Sequence, residues 1–485
     1  MKPGEQKNFR TEETPFPIDD HFRSLMSSVG LDAADTGGTV TFVGEDPIFE
    51  SSIRLGAAYA IPYMSTAAAA AMIWRLRTGR GQDLKIDLRK AIYYIADHPF
   101  STLNGKRYPV PYADGCNMYF KLYRTKDDRW FSPAGFYPRH ERQWYDFLGC
   151  TPDRNSIAAK IAGWNALDLE TECNERGLVG GMARTVDEWL NTECGLQLAQ
   201  TPVIEITKIA DSAPEPFTAQ TARPLSDVRV LCNTHEVAGS TVGKTLAEQG
   251  ADVLQMSSPS MYFHDIIYLE AAAGMRQTYI DLKDPADRPK FDNLVRAADV
   301  FVENYRGDSM ARLDCSPQDL AGQRPGIIYA SLRGWTNHGA WANRGCFDPV
   351  AIPLTGLACQ EGTPDAPKYP PYNLLNDTIS GIFGALGVYA ALIRRAREGG
   401  SYHVKVSLCG CAMWIGGLGF LDKGGLRREG EQHRAIQPDM FEAETSLGFL
   451  RRPAPCVGFT ETNGYWAEPV LRYRGSDKPQ WRIRS

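Results

Sequence analysis

Two segments of the chain match at a fixed spacing, and at the helix start one of them has a carboxylate that could do chemistry where the other has none. Residues 55–88, moved forward by 320 positions without a gap, place Ala70, Ala71, Ile73, Arg75, Arg77, Gly79, Lys85 and Leu88 on Ala390, Ala391, Ile393, Arg395, Arg397, Gly399, Lys405 and Leu408. Such self-similarity marks one supersecondary unit used twice. At the same shift Leu55-Gly56-Ala57 falls on Leu375-Asn376-Asp377, so one copy has a methyl group where the other has a carboxylate. A carboxylate at a helix start either caps the helix, accepting backbone N–H bonds at the positive end of the dipole, or serves catalysis. Position alone leaves both roles open.

The other reactive residue types are less organised. Eleven cysteines are scattered without framework spacing, and only Cys409 and Cys411 fall close together. They sit in an apolar segment with no second Cys/His pair nearby, which reads as core packing; no metal site is expected. Gly239, Gly243 and Gly250 do not make a Gly-x-Gly-x-x-Gly turn, and Ser257-Ser258 stand where an acidic ribose partner is expected, so a nicotinamide dinucleotide is disfavoured.

Periodicity places these residues on elements. From Ser51 an Ala-rich helical pattern runs to Arg77, stops at Thr78-Gly79-Arg80-Gly81, and leads into the alternating strand Leu84-Lys85-Ile86-Asp87-Leu88. Its apolar part, Ala57 to Trp74, is interrupted by Pro62 and Ser65 and reads as a buried helix, since a membrane span needs roughly 20 strongly apolar residues. Later, Val228-Arg229-Val230-Leu231, a helix over Gly239 to Gln249 and Ala251 to Met256 form a βαβ pattern. A helix near Pro289 to Ala298 feeds Val300-Phe301-Val302, and Gly326-Ile327-Ile328-Tyr329-Ala330 adds a strand. The predicted fold class is α/β: a large domain with a Rossmann-like open parallel sheet, plus a smaller α+β domain.

The chain has 485 residues, 43% hydrophobic and 23% charged, enough for the cores of two or three domains. Lys plus Arg total 53 against 58 for Asp plus Glu, a net charge of −5, so neither nucleic acid nor a membrane surface is expected as a partner. The polar start through Asp20 lacks the apolar core of a secretory signal, and unpaired cysteines fit a reducing compartment, which together predict a cytoplasmic protein. The expected divisions are an irregular extension (1–50), a partial repeat without the carboxylate (51–95), a small α+β domain (96–212), a Pro-rich linker (213–224), the Rossmann-like domain with Asp377 (225–425) and a C-terminal segment (426–485). In that last segment Phe459, Trp466 and Pro469 match Tyr123, Trp130 and Pro133 at a shift of 336, and Gln480-Trp481 echoes Gln143-Trp144, so it reads as the start of a second small domain.

The stretch from Pro224 to Leu421 resembles the family III CoA-transferases, which include formyl-CoA transferase, carnitine CoA-transferase and the α-methylacyl-CoA racemases. The resemblance is carried by Pro224-Leu225-x-x-Val228-Arg229-Val230-Leu231, Ala238-Gly239, Leu246-Ala247-x-x-Gly250-Ala251-Asp252-Val253, Ile280-Asp281-Leu282-Lys283, Ala298 through Arg306, and Arg312-Leu313. In order and spacing the set is specific. Residues 96–210, including His140-Glu141-Arg142-Gln143-Trp144, resemble the family's small domain. The parts run in an unusual order, as in a permuted or truncated tandem form with one live and one dead copy, and the family habit implies a homodimer.

The resemblance makes Asp377 the nucleophile and places His235, Ala238, Lys283, Asn304, Tyr305 and Arg312 along the CoA channel. It implies transfer of CoA from an acyl-CoA donor to a carboxylic acid through an aspartyl mixed anhydride and an aspartyl-CoA thioester, with no cofactor beyond the CoA thioester substrate. Lys283 and Arg312 suit the CoA phosphates. Backbone N–H groups at Asn376 and Thr378 are candidate oxyanion donors, or ordinary capping neighbours. His235 has no carboxylate partner local in sequence and is assigned to binding.

Several departures are visible. Gln255 and Ser257 replace a common Lys and Glu, and Ala134-Gly135-Phe136-Tyr137-Pro138 shows no glycine loop; Gly416-Gly417-x-Gly419 is a substitute or simply tight packing. Tyr119, Phe120, Tyr123 and Phe136 either shape an apolar acyl pocket or fill the small domain. The racemases pair their Asp with an upstream His, and Phe347 occupies that position here, so transfer ranks above racemisation. A non-catalytic CoA-ester binding module is the reading from a different class.

Overall fold

The computed structural model describes residues 16–94, 100–107, 116–219, 221–336, 339–371, 374–426 and 428–483. The first fifteen residues of the expected extension lie outside them. Within them the repeat is structural. The Leu55–Thr78 helix, moved forward by 320 positions, lands on the bounds of the Leu375–Glu398 helix, and both run for 24 residues. Each ends at a glycine in the left-handed region, Gly79 at φ 74° and Gly399 at φ 71°, where a Cβ would be strained. The two helices pack against each other inside one large core.

Each helix feeds a strand. β1 (Val40–Val43) lies parallel to β2 (Leu84–Asp87), which follows the first helix. β3 (Thr102–Leu103) and β4 (Lys106–Arg107) make a hairpin. β5 (Tyr123–Arg124), β6 (Trp130–Pro133) and β7 (Gly180–Met182) form the antiparallel sheet of the small α+β unit. The large sheet contains β8 (Ile204–Ala210), β9 (Arg229–Asn233), β10 (Asp252–Ser257), β11 (Arg276–Tyr279), β12 (Val300–Glu303), β13 (Ile328–Arg333) and β14 (Ser401–Ser407). Its order is β11-β10-β9-β12-β13-β14-β8, and every pairing is parallel except that of β8 with β14. The central strand β12 is buried throughout, as expected of a parallel sheet covered on both faces. The fold is therefore the α/β class read from periodicity.

Three boundaries shift. Residues 16–50 are not an irregular extension: Ile18–Ser28 is a helix that buries Phe22, Leu25 and Met26, and β1 follows it. The 213–224 segment is packed, with Glu215 gripped by both terminal nitrogens of Arg324 at 2.7 Å. Its predecessor β8 belongs to the large sheet, so the edge of the small unit lies before Ile204 and not at 212.

The C-terminal segment is not the start of a second small domain. β15 (Met440–Thr445) and β16 (Gly448–Pro453) form a hairpin that adds to β3, and β17 (Val457–Phe459) pairs antiparallel with β2. The order β1-β2-β17, parallel then antiparallel, repeats β13-β14-β8. β17 thus stands where β8 stands, the edge strand that follows the small unit in the chain. The aromatic matches at shift 336 have different surroundings: Trp130 opens a strand, whereas Trp466 stacks on Tyr94 with ring centroids 6.2 Å apart. Trp144 lies in the Pro138–Leu148 helix, while Trp481 donates from irregular chain to the Leu294 carbonyl at 3.0 Å.

A buried helix start leaves N–H groups that water cannot reach. In the first copy Asp46 supplies the acceptor, taking the N–H of Gly56 at 3.0 Å and of Ala57 at 2.8 Å. Burial raises its carboxyl pKa against these donors. Asp46→Ala should lower unfolding free energy in urea by about 1–2 kcal/mol, and Asp46→Asn, which keeps an acceptor oxygen, by less.

Candidate active site

Asp377 sits in the first turn of the Leu375–Glu398 helix, after Leu374 in the left-handed region at φ 63°. The helix Glu236–Glu248 crosses so close that a Cβ at Gly381 would lie 2.5 Å from the Ala238 carbonyl. That approach brings Asp377 and the start of the Glu236 helix onto one cavity of about 620 Å³. Its apolar wall includes Tyr119, Phe136, Tyr137 and Phe347, with Phe136 centred 4.3 Å from Tyr119 and 5.0 Å from Phe347.

Beneath Asp377 lies Asp348, fully buried at the start of the helix Asp348–Leu354. Its Oδ2 accepts the Asn376 N–H at 3.1 Å, the counterpart of Asp46 holding Gly56 in the first copy. Burial pushes the Asp377 carboxyl up to about 7. Burial, and then the charge of Asp377, push Asp348 well above the carboxylate range. Asp348, raised further, keeps its proton, which leaves Asp377 able to present a carboxylate near neutrality.

The backbone donors expected at the helix start are occupied. Asn376 N–H serves Asp348, and Thr378 N–H closes the first turn on the Leu374 carbonyl at 3.1 Å. An oxyanion formed on a substrate must therefore find its donor on another element.

The predicted channel residues divide into two groups. His235, Ala238, Asn304 and Tyr305 line the cavity with Asp377. Lys283 and Arg312 line a second cavity of about 660 Å³, along with Tyr305, which belongs to both. Arg139, Ser260 and Met261 are shared too, so the two cavities adjoin. Lys283 is exposed, and Arg312 is exposed in an ion pair with Asp308. Asn304 acts on the backbone: its Oδ1 accepts the His235 N–H at 2.8 Å and its Nδ2 donates to the His235 carbonyl at 2.6 Å.

Burial lowers the His235 pKa to about 4, so the ring is neutral. Its Nε2 proton goes to the Tyr262 carbonyl at 2.7 Å, leaving Nδ1 to accept from the Tyr137 hydroxyl at 3.3 Å. The absence of a local carboxylate is corrected by the next residue, since Glu236 Oε1 lies 3.4 Å from His235 Nε2.

Sequence reasoning missed Glu236, Asp348, Tyr137, His140 and His264. Phe347 is in the cavity wall, as are Tyr119 and Phe136, whereas Tyr123 packs in the small unit's core. The 134–138 segment contributes Phe136, Tyr137 and Pro138 to that wall. Gly416, Gly417 and Gly419 lie at and beyond the end of the Leu408–Gly416 helix and line neither cavity. Cys409 and Cys411 are fully buried in that helix. Gln255 is internal, donating toward Thr234 and Ser240 and accepting from Gln277 at 3.1 Å.

Comparison with known proteins gives a consistent set. Residues 225–447 match the family described as CoA-transferase family III. An acyl-CoA transferase of Gibberella moniliformis is 29% identical over 265 residues, 52% of this chain and 47% of that protein. The acetyl-coenzyme A transferase nodX of Hypoxylon pulicicidum is 26% identical over 350 residues, 65% of this chain and 58% of that one. The chain spans about half the length of these curated relatives. A solved CaiB/BaiF family protein from Brucella suis aligns at 25% identity over 40% of this chain and 56% of that chain, with a TM-score of 0.38.

The raised Asp377 carboxyl has a stability consequence. Its folded value lies above the ordinary 3.8, so folding binds the proton more tightly, and stability falls as pH rises from about 4 to about 7, above which the full cost of the buried charge is present. Asp377→Asn removes that penalty. The variant's melting temperature should match wild type near about pH 4 and exceed it by a few degrees near about pH 8, by scanning calorimetry.

Proposed function

The chain belongs, through residues 225–447, to CoA-transferase family III, and from that premise we propose that it moves CoA from an acyl-CoA donor to a carboxylate acceptor. The observation that carries the proposal is Asp377, held at a buried helix start and lining a largely apolar cavity that adjoins a second, cation-bearing one. An Asp oxygen attacks the thioester carbon, the tetrahedral oxyanion collapses, and the C–S electron pair leaves with CoA thiolate to give a mixed anhydride. The thiolate then attacks the aspartyl carbonyl, releasing the donor's carboxylate and leaving an aspartyl-CoA thioester. Attack by the acceptor carboxylate, followed by return of the thiolate to its carbonyl, yields the new acyl-CoA and restores Asp377. No net proton is consumed, and no cofactor is required.

Lys283 and Arg312, in the second cavity, suit the phosphates of CoA. Phe347, which cannot exchange a proton, favours transfer over racemisation. The reading includes a cytoplasmic homodimer; the eleven free cysteines support the reducing compartment, and light scattering in solution tests the dimer.

Two experiments test the function. Incubation with acetyl-, succinyl- and benzoyl-CoA followed by hydroxylamine should leave a hydroxamate on Asp377 by peptide mass spectrometry, absent in Asp377→Ala. CoA-ester binding without adduct or turnover by wild type would instead support a binding module. In steady-state assays, Lys283→Ala and Arg312→Ala should each raise KM for the acyl-CoA about ten-fold and leave kcat nearly unchanged.

A further inference from the structure

Glu236 is a polar group in the cavity that the transfer scheme leaves without a task. It opens the Glu236–Glu248 helix and is only 9% exposed, yet neither of its oxygens completes a hydrogen bond. The groups around it are committed elsewhere. His235 gives its ring proton to Tyr262, and Tyr137 gives its hydroxyl proton to His235. Leaving a buried carboxyl unpartnered costs free energy, and the backbone adds to the cost, because Glu236 has φ 59°. Asn304, bonded to both the N–H and the carbonyl of His235, holds the two peptide groups that lead into Glu236.

The first turn of the Asp377 helix cannot supply the oxyanion donor, and most of the cations that line the cavity are already engaged. The N–H groups of Asn376 and Thr378 are occupied. Among the lining cations, Arg333 pairs with Glu303 at 2.7 and 3.0 Å, and Arg344 lies over the Trp341 ring at 4.3 Å. Arg306 reaches back to the Gly177 carbonyl at 3.4 Å, and Arg139 is exposed where the two cavities meet.

We propose that Glu236 is a catalytic residue, whose uncharged carboxyl donates a hydrogen bond to the substrate oxygen that becomes negative when Asp377 attacks. The proposal rests on the transfer reading above. The proton stays on Glu236 throughout, so each step keeps the electron balance already given. A neutral acid can fill this place because burial, reinforced by the Asp377 charge, raises the Glu236 pKa to about 8. The titratable and charged groups around it are Asp377, Tyr137, His140, His235, Tyr262, His264 and Arg474. Tyr137 and the His264 N–H favour the ionised form, but neither meets hydrogen-bonding geometry with it, so burial prevails.

Raised pKa values on both carboxyls set the signs of the pH profile. Activity should rise as Asp377 ionises through about 7 and fall as Glu236 loses its proton through about 8. The test is the pH dependence of kcat with acetyl-, succinyl- and benzoyl-CoA for wild type, Glu236→Gln and Glu236→Val. Glu236→Gln, a neutral donor of the same shape, should keep the neutral-pH rate within about three-fold and lose the alkaline limb. Glu236→Val should lose about 100-fold in kcat with KM little changed.

Equal losses in both variants, or an alkaline limb that persists in Glu236→Gln, would overturn the assignment. If Glu236→Val fails to fold, the limb in Glu236→Gln alone decides. Wild type that turns over none of the three donors would sink the transfer reading and this one with it. Turnover unchanged in both variants would remove only Glu236.

Discussion

The site depends on a carboxylate buried beneath a buried helix start. A 24-residue helix packed in the core presents its first N–H groups where no water arrives, and an acceptor has to be built in. Asp348 does this for the helix that carries Asp377, and Asp46 does it for the helix that carries Ala57. The second case separates architecture from chemistry. A cap is needed in both copies because both helix starts are buried, whereas a carboxylate on the helix itself is present in only one. Asp377 is therefore an addition to a start that is already capped; burial lifts both carboxyls above the ordinary carboxylate range, and the charge of Asp377 lifts Asp348 further.

That dependence explains which parts were legible in the sequence. The repeat, the bounds of its helices and the parallel sheet follow from apolar periodicity and glycine stops, which are local signals. Asp377 was legible because the family resemblance places a nucleophile there; the repeat, which sets it opposite Ala57, left cap and catalyst both open. The caps were not. Asp46 lies in the chain just ahead of its helix, while Asp348 is separated from Asn376 by another helix and a turn, so no common spacing links them. Glu236 was passed over beside His235 because the search was for a partner to activate a histidine, and the fold instead isolates the carboxyl. In the first 50 residues, Phe22, Leu25 and Met26 have helical spacing, but the surrounding Gly, Pro and charges masked it. The C-terminal strand β17 is three residues long, and its place is set by pairing with β2, a contact far away in sequence.

The small unit and the large sheet meet at the cavity, and each supplies what the other lacks. The large sheet contributes the helix starts, with Asp377 on one and Glu236 on the other. The small unit contributes the aromatic wall of Tyr119, Phe136 and Tyr137. The wall is an electrostatic device as much as a steric one. By excluding water it keeps His235 neutral and raises the carboxyls, and the same low polarity strengthens any hydrogen bond made inside. Moving the wall would weaken both effects together.

The first copy shows what a start of this kind looks like without a site. Gly56 leaves no room above the cap: a Cβ there would lie 2.8 Å from Ile48 and 2.9 Å from the Asp46 carboxylate. Ala57 is fully buried and lines neither of the two joined cavities. A carboxylate at that position would be enclosed beside Asp46, away from both joined cavities and the aromatic wall of Tyr119, Phe136 and Tyr137. It would bear the full cost of a second buried charge and return nothing. The methyl group at Ala57 is thus the stable solution wherever the small unit does not close over the helix, and the asymmetry between the copies follows from the surroundings rather than from the helices.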